Sequence, residues 1–596
     1  MKRGLLFGVV LLLLLGCQRG ERNENIVTIQ ILHTSDQHGK FINYNYVDDA
    51  PTTSGSVAAI ATKVAQLRKE YPHTILIDTG DTFQDNSNEF FVGRAADNPM
   101  LLAMNALNYD SMTVGNHEFN FGIPYLLSLR DHLNMDLLGA NVYDAEGERL
   151  FKPYKIINKA GVNIAIVGMV TPNITRWDGD KLEGYHVTMP IDEMHLIWPE
   201  ISEQADLFIF ANHMSWQNEY QAGDGYVDLL DAFPEFTVAL VAHEHSLIAR
   251  EEPTGVLVVE PSYQSAYLSQ ILLTYEKDAD GIYQLVEKSV EVIPMRDVQD
   301  DTRIVSITQS GHEALLENAR STLGDDGVPI GTLTGGSLVP DPIFPGVSQA
   351  QLEMTAMIAL INDMQRYYTG ANVSSAAVFT PKANMQSGSI TKAKIANIYK
   401  FDNGIRLYRM NGEQLRTYME WSAQYFNQFQ EGDLTISYNE DMRFYMYDIF
   451  GGVLYDVDIS QPVGQRITNL RWPDGTTVKD SDTMTLALND YRAQTTLISE
   501  LFPNGEVVLV RDLYQEMGDD GKAQQLLLRY IQEVLGGKLS NAIDTTYNQY
   551  QIIGYSWDEQ LRAKAIELVN QGKISLPMSA DGRTPNVRPL RKEDLI

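Results

Sequence analysis

Cysteine is almost missing from this chain: of 596 residues, Cys17 alone is one. With no cysteine pair, the fold needs no oxidative step. Positive charge is scarce too, with 46 Lys and Arg against 78 Asp and Glu, for a formal charge of −32. Proteins that coat nucleic acid are normally basic, so no nucleic-acid polymer is expected as a partner. The excess reads as a well-solvated acidic surface. An anionic substrate would then need strong positive charge at one place, which a pair of metal ions supplies. Repeats and low-complexity tracts are missing, and no long apolar run occurs after the first residues. The body therefore reads as soluble and globular. At this length it should hold more than one domain, because single cores rarely grow past ~250–300 residues.

The first residues are different. Lys2 and Arg3 form a basic start, and Leu5 to Leu15 form an apolar stretch too short to span a bilayer comfortably. The stretch ends in Leu14-Leu15-Gly16-Cys17, which resembles a bacterial lipoprotein signal with Cys17 as the lipidated first residue. This predicts a signal peptide over 1–17 and a polar tether over 18–26. It also predicts a protein outside the cytoplasm, held to a membrane through lipid on Cys17. An ordinary secretory signal, cleaved with its cysteine, is the competing reading.

From Val27 to about Pro294, apolar strand-like runs alternate with helical spacing, the pattern of a layered α/β domain. Ser54-Gly55-Ser56 precedes Val57, Ile60, Val64 and Leu67, which put one apolar stripe on a helix. Asn98-Pro99 reads as a cap and first-turn proline. Val162 to Gly168 and Val256 to Val259 read as buried strands. Asp300 to Leu323 reads as a connecting helix with Ile304, Ile307, Leu315 and Leu316 as apolar positions. Gly331 to Gly346 is rich in Gly and Pro and reads as loop or linker. A second α/β domain opens near Val347, with a helix from Ala350 to Tyr368. Ser579 to Ile596 is polar and reads as a loose tail. The expected order is a first domain over 27–299, a connector over 300–346, a second domain over 347–578 and a tail over 579–596.

Five motifs carry metal-type side chains, each after an apolar run. Asp36 and His38 follow Val27 to Leu32, and Asp81 follows Ile75 to Ile77. Asn116 and His117 follow Ser111 to Val114. His213 follows Leu207 to Ala211, and His243 and His245 follow Val238 to Ala242. In an open α/β sheet, ligands bind beyond the carboxyl ends of strands, so five such ends would converge on one site. Asp, His and Asn are oxygen and nitrogen donors, suited to Zn, Mn, Fe or Co more than to soft Cu(I). Paired ions lower the pKa of a water between them and clamp phosphoryl oxygens during in-line displacement. On spacing alone, His117 counts as an eighth ligand. His73, His132, His186, His195 and His312 read as surface or core residues, and His33 as structural beside the site.

In order, Asp36-x-His38, Gly80-Asp81, Gly115-Asn116-His117-Glu118, His213 and His243-x-His245 resemble the motifs of the calcineurin-like metallophosphoesterases. The resemblance implies two divalent ions bridged by Asp81. Asp36, His38 and His245 would hold one, and Asn116, His213 and His243 the other. It implies attack by a metal-bound hydroxide. It also makes His117 a catalytic donor at the scissile phosphate, next to Asn116, rather than a ligand. The two-domain plan and Asp78-Thr79-Gly80-Asp81-Thr82-Phe83-Gln84 are similar to the secreted 5′-nucleotidase superfamily. Gly115 to Gly122, Val170 to Trp177 and Tyr447 to Tyr455 look closer to its 2′,3′-cyclic-nucleotide 2′-phosphodiesterase/3′-nucleotidase branch. The implied fold is α/β: a β-sandwich flanked by helices, followed by a second α/β substrate-binding domain. At position 120 the 5′-nucleotidases usually carry Asp, paired with the catalytic histidine. Asn120 accepts a hydrogen bond without charge, which favours the cyclic-nucleotide branch or a slower enzyme.

In that superfamily the second domain sandwiches the base between two aromatic rings. Tyr399-Lys400-Phe401-Asp402-Asn403 and Asn489-Asp490-Tyr491-Arg492-Ala493 match its two motifs, so Phe401 and Tyr491 are the candidate substrate-binding residues. Stacking of this kind contributes ~1–3 kcal/mol per base. Plain core packing is the alternative for both rings, and the aromatics between Phe444 and Tyr455 are assigned to the core. Four departures stand out. Phe379-Thr380-Pro381-Lys382-Ala383-Asn384 replaces the 5′-nucleotidase Asn-Gly-Gly-x-Arg motif, and Gln494-Thr495-Thr496 replaces glycines. Ala242 and Met214 stand beside the histidines where Gly and Ser are usual. None removes a ligand. The expected activity is metal-dependent hydrolysis of 2′,3′-cyclic and 3′-nucleotides outside the cytoplasm. A 5′-nucleotidase or nucleotide-sugar hydrolase is the alternative within the class. A surface lipoprotein that binds nucleotide without turnover is the alternative outside it.

Overall fold

Successive residues of a strand face opposite sides of its sheet. In Ile26–Thr34, Ile29 and Ile31 face one side while Gln30 and Leu32 face the other, and all four are fully buried. A strand covered on both faces belongs inside a layered fold. The computed structural model describes residues 25–401, 403–579 and 584–595, and places this strand within a six-stranded mixed sheet. The predicted signal peptide, Cys17 and all but the end of the tether lie outside the described residues.

That sheet runs Tyr283–Pro294, Tyr267–Lys277, Ile26–Thr34, Thr74–Asp78, Ser111–Thr113, Asp136–Leu138. A second runs Leu247–Glu251, Leu257–Pro261, Val238–Leu240, Leu207–His213, Val162–Val170, Tyr154–Lys159. Ile29, Ile31, Ile75 and Ile77 of the first meet Ile164, Ile166, Ile209 and Val259 of the second in one core. Helices Val57–Glu70, Pro99–Leu107 and Ile123–His132 cover the first sheet. Pro190–Ile201 and Tyr226–Ala232 cover the other. The helix starts are chemical: Ser56 caps the first, and Asn98 with Pro99 starts the second. The central strands of each sheet are parallel, so their carboxyl ends share an edge. This is the expected helix-flanked sandwich.

The second domain holds a five-stranded sheet ordered Asp448–Gly451, Val373–Ala377, Thr483–Asn489, Ile405–Asn411, Val508–Asp512. Ile405 pairs with Asn489 in an antiparallel register. Phe401 precedes one strand and Tyr491 follows the other, so register alone brings both rings to one sheet edge. No described helix is long and apolar enough to cross a membrane.

Several boundary readings change. Thr302–Arg320 is less a connector than part of the first domain: Ile304 and Leu315 enter its core, Gly311 sits against Pro99, and Ile307 is 39% exposed. The Gly/Pro-rich stretch is not loose, because Thr332–Thr334 pairs with Lys538–Ser540 while Leu333 and Leu338 join the second core. The helix expected from Ala350 starts at Ala356, capped by Thr355. The tail is docked. The carbonyls of Asn586 and Leu590 accept the amides of Tyr438 and Leu434, and Arg591 pairs with Asp433 at 2.9 Å. Its polar groups have protein partners, which a composition reading does not reveal.

Candidate active site

The seven predicted donors meet where the two sheets abut. Loops of the first sheet bring Asp36, His38, Asp81 and Asn116; the second brings His213 at the end of a strand and His243 and His245 on a loop. Five of them have left-handed backbones: Asp36 at φ 47°, His38 at 47°, Asp81 at 56°, His243 at 84° and His245 at 57°. That conformation costs a residue with a Cβ roughly 1 kcal/mol or more, and it persists only where the surroundings impose it. Here backbone bonds impose it. Asp36 N donates to Gly80 O and His38 N to Asp81 O, both at 2.9 Å, while His117 N donates to Asp81 Oδ1 at 2.8 Å. Gly115 lets the loops touch, since a Cβ there would stand 2.3 Å from Asp81 Oδ1.

Two carboxylates under the loops escaped the sequence reading. Glu118 is 2% exposed and accepts the amides of Gly115 at 2.7 Å and of Asp81 and Thr82 at 2.8 Å. Each charge-assisted bond contributes roughly 1.5–3 kcal/mol. Burial, then the charge of Asp81, pushes the Glu118 carboxyl up from its ordinary value. Asp78 accepts from Thr34, Gln37, Gly80 and Thr82, and burial pushes it up to about 7. The partners of Glu118 are backbone amides, which leave no trace in sequence; the one signal was an acid inside an otherwise metal-type motif.

The imidazoles are oriented from behind. His213 Nδ1 donates to Thr79 O at 2.7 Å, which leaves Nε2 facing Asp81 Oδ2 and Asn116 Oδ1, both at 3.1 Å. His38 Nδ1 is held by Gln84 Oε1 at 3.1 Å, leaving its Nε2 only 3.1 Å from His245 Nε2. His243 turns Nδ1 to Asn116 Oδ1 at 2.8 Å and Nε2 to Glu219 at 3.4 Å. Trp177 stacks on His243 and Tyr263 on His245, with centroids 5.6 and 4.8 Å apart.

Four of these residues fit a divalent cation. Asp36, His38, Asp81 and His245 offer ligand atoms within 4.8 Å of one another. Buried Asp36 Oδ1 faces His245 Nε2 at 3.3 Å, and that nitrogen in turn faces His38 Nε2 across 3.1 Å. Burial opposes ionisation of Asp81, but the imidazoles of His213 and His117 outweigh it and hold the carboxyl well below the usual range. Reciprocally, Asp81 overcomes burial and pushes His213 up to about 10. The cluster draws positive charge to itself, as a cation site must.

His117 stands beside the donors, half exposed, with Nε2 at 3.9 Å from Asp81 Oδ2 and Nδ1 at 2.6 Å from Asn120 Oδ1. Phe401 and Tyr491, also half exposed, line the same cleft of about 3200 Å³ as His38, Asp81, Asn116 and His117. Phe444 and Tyr445 line it too, whereas Tyr447, Phe450 and Tyr455 are core. Met214 and Ala242 are both fully buried, and Met214 packs in the core beneath the second sheet's helices.

A two-domain fold with this donor set defines a phosphoester-hydrolysing class of enzyme. The family model of the calcineurin-like phosphoesterases matches residues 29–247, and that of the 5′-nucleotidase C-terminal domain matches 329–496. The chain thus joins a calcineurin-like phosphoesterase domain to a 5′-nucleotidase C-terminal domain. It is 26% identical, over 78% of its length, to the Trifunctional nucleotide phosphoesterase protein YfkN of Bacillus subtilis, and the match takes in 36% of that longer protein. It is 24% identical to the 2′,3′-cyclic-nucleotide 2′-phosphodiesterase/3′-nucleotidase of Salmonella typhimurium, over 79% of this chain and 82% of that one. A putative 5′-nucleotidase from Staphylococcus aureus, solved with alpha-ketoglutarate, shares the fold: TM-score 0.74, 22% identity, 88% of this chain and 99% of that one.

Proposed function

We propose that this chain hydrolyses nucleotide phosphoesters, opening 2′,3′-cyclic nucleotides at the 2′-oxygen and then removing the 3′-phosphate. One observation carries the reading: a single cleft is lined both by five of the seven donors and by two rings able to take a base. The names of the Salmonella and Bacillus relatives support it. Two divalent ions of Zn, Mn, Fe or Co type, held by Asp36, His38, His245, Asn116, His213 and His243 with Asp81 between, would supply Lewis acidity to the phosphoryl oxygens. In each hydrolysis a water oxygen bonds to phosphorus, the ester P–O bond breaks, and the leaving oxygen takes a proton. His117 is positioned to deliver it, because Asn120 engages Nδ1 and leaves Nε2 toward the cleft. Phe401 and Tyr491 hold the base.

The test uses the form lacking residues 1–17 with Mn or Zn, assayed on 2′,3′-cyclic AMP, 3′-AMP and 5′-AMP beside His117→Ala. Fast turnover of the first two, lost in the variant, is expected. Turnover of 5′-AMP alone would move the chain to the 5′-nucleotidases, and none at all despite bound metal would leave a binding protein. An extracytoplasmic location with lipid on Cys17 belongs to the same proposal and rests on Leu14-Leu15-Gly16-Cys17. Cys17→Ser should then release the protein from membranes; retention would overturn that part.

A further inference from the structure

Asn120 gives His117 an uncharged partner, and a carboxylate waits one link further out. Asn120 Nδ2 donates to Asp178 Oδ2 at 2.8 Å, and Lys181 Nζ lies 2.6 Å from Asp178 Oδ1. The Asp178 side chain is only 5% exposed. We propose that Asp178 is a positioning residue for His117, acting through the Asn120 amide. The proposal deepens the hydrolase reading above and rests on it.

Hydrogen-bond polarity makes the case. An ionised carboxylate can only accept, so Asn120 must turn its amide nitrogen to Asp178 and its oxygen to His117. The flipped amide would set oxygen against oxygen. Because the Asn120 oxygen can only accept, His117 Nδ1 carries a hydrogen in the neutral ring and in the imidazolium alike, so Nε2 is the nitrogen that takes up and delivers the proton in the cleft. Asp178 thus selects the tautomer and ring orientation of a histidine it never touches, as an outer-shell carboxylate does for a metal-bound imidazole. Nor is its carboxylate spent on helix capping: Asp178 stands at the start of the short helix Gly179–Leu182 without a side-chain cap bond.

The arrangement explains why a carboxylate at position 120 is not simply better here. Asn120→Asp would set two carboxylates at hydrogen-bond distance, where they must share a proton. Asp178→Asn would leave the Asn120 amide free to flip. Exchanging the two, Asn120→Asp with Asp178→Asn, keeps one carboxylate, one amide and both bonds.

The experiment takes the protein with Mn, measures kcat and KM on 2′,3′-cyclic AMP and on bis(p-nitrophenyl) phosphate, and records 15N spectra of histidine-labelled protein, with His117→Ala assigning the signal. Each single variant should lower kcat about 10–100-fold, the usual cost of an outer-shell change, with KM and metal content held within about twofold. The exchange variant should recover most of the loss. The spectra should show His117 protonated at Nδ1 in the parent and a tautomer mixture in Asp178→Asn. Unchanged kcat and tautomer in Asp178→Asn, or an exchange variant no better than either single one, would overturn the proposal. If the parent turns over no phosphoester, the hydrolase reading fails, and the spectra still decide the role of Asp178.

Discussion

The two walls of the cleft are built by opposite means. On the metal-type wall each donor follows a strand end closely, five of the seven are buried, and backbone bonds and the Glu118 carboxylate fix the loops. On the facing wall, Phe401 meets Phe379 edge-on at 5.3 Å, and Tyr491 depends on its neighbour Arg492. That arginine is tied to Asp448 at 2.8 Å and to Tyr445 O at 2.6 Å. Phosphoryl chemistry needs reacting groups placed to within a fraction of an ångström, while stacking works against any π-face. Rigidity is spent where placement matters. One ion pair joins the walls: Lys400 Nζ reaches Asp85 Oδ2 at 2.7 Å, and next to it Asn86 holds the carbonyl of His38 at 2.7 Å.

The sharpest way to break the comparison is Asp81→Asn, which removes the donor shared by both sets. Turnover should fall to background and bound metal per chain should drop, as elemental analysis would show. Retained turnover would mean that the wall does not work as a unit. His117→Ala should lower kcat about 10²–10⁴-fold with metal content intact. Next comes Glu118→Gln, which keeps shape but leaves one acceptor oxygen for amides that now share two. We expect kcat to fall about 10–100-fold, as for other outer-shell changes, and the melting temperature to fall with it.

On the softer wall, Phe401→Ala and Tyr491→Ala should each raise KM about 5–150-fold, equivalent to ~1–3 kcal/mol of stacking, with little change in kcat. Equal effects on kcat and metal content would erase the distinction between the walls. The smallest effect concerns Asp490, beside Tyr491, whose carboxyl burial pushes up to about 6 against the bonds and charges that lower it. Because the folded value lies above the free one of about 3.9, its contribution to stability is complete at acid pH and is lost as pH rises through about 6. Asp490→Asn should therefore gain in melting temperature relative to the parent between pH 5 and pH 8. A pH-independent difference would remove that carboxyl from the account.

The metal-type wall was largely legible because its chemistry demands particular side chains at strand ends, and apolar runs mark the strands. Asp36 to His245 could be picked out before any fold was known. Glu118 was not assigned a task, since its partners are amides that every residue possesses. Asp178 could not be connected to His117, because the Asn120 amide stands between them and lies 58 residues from Asp178. Boundaries failed where a local cap or a tertiary partner decides. Thr355, not the first apolar residue, sets the helix start, and the tail is ordered by the backbone of residues 434 and 438. The reading wall lay between: its motifs were visible, but that Ile405 and Asn489 are cross-strand partners was not.

The position of the donors on the seam has a consequence for assembly. His38 belongs to one sheet and His245 to the other, 207 residues later. An ion bound there would act as a rivet between sheets whose shared core is apolar. Like any long loop closure, it would restrict the unfolded chain, and by mass action it would favour the folded one. The donor set would close on metal only once the halves of the sandwich had met. Removing it would then loosen the first domain as well as silence it, so a chelator should lower the melting temperature as well as the rate.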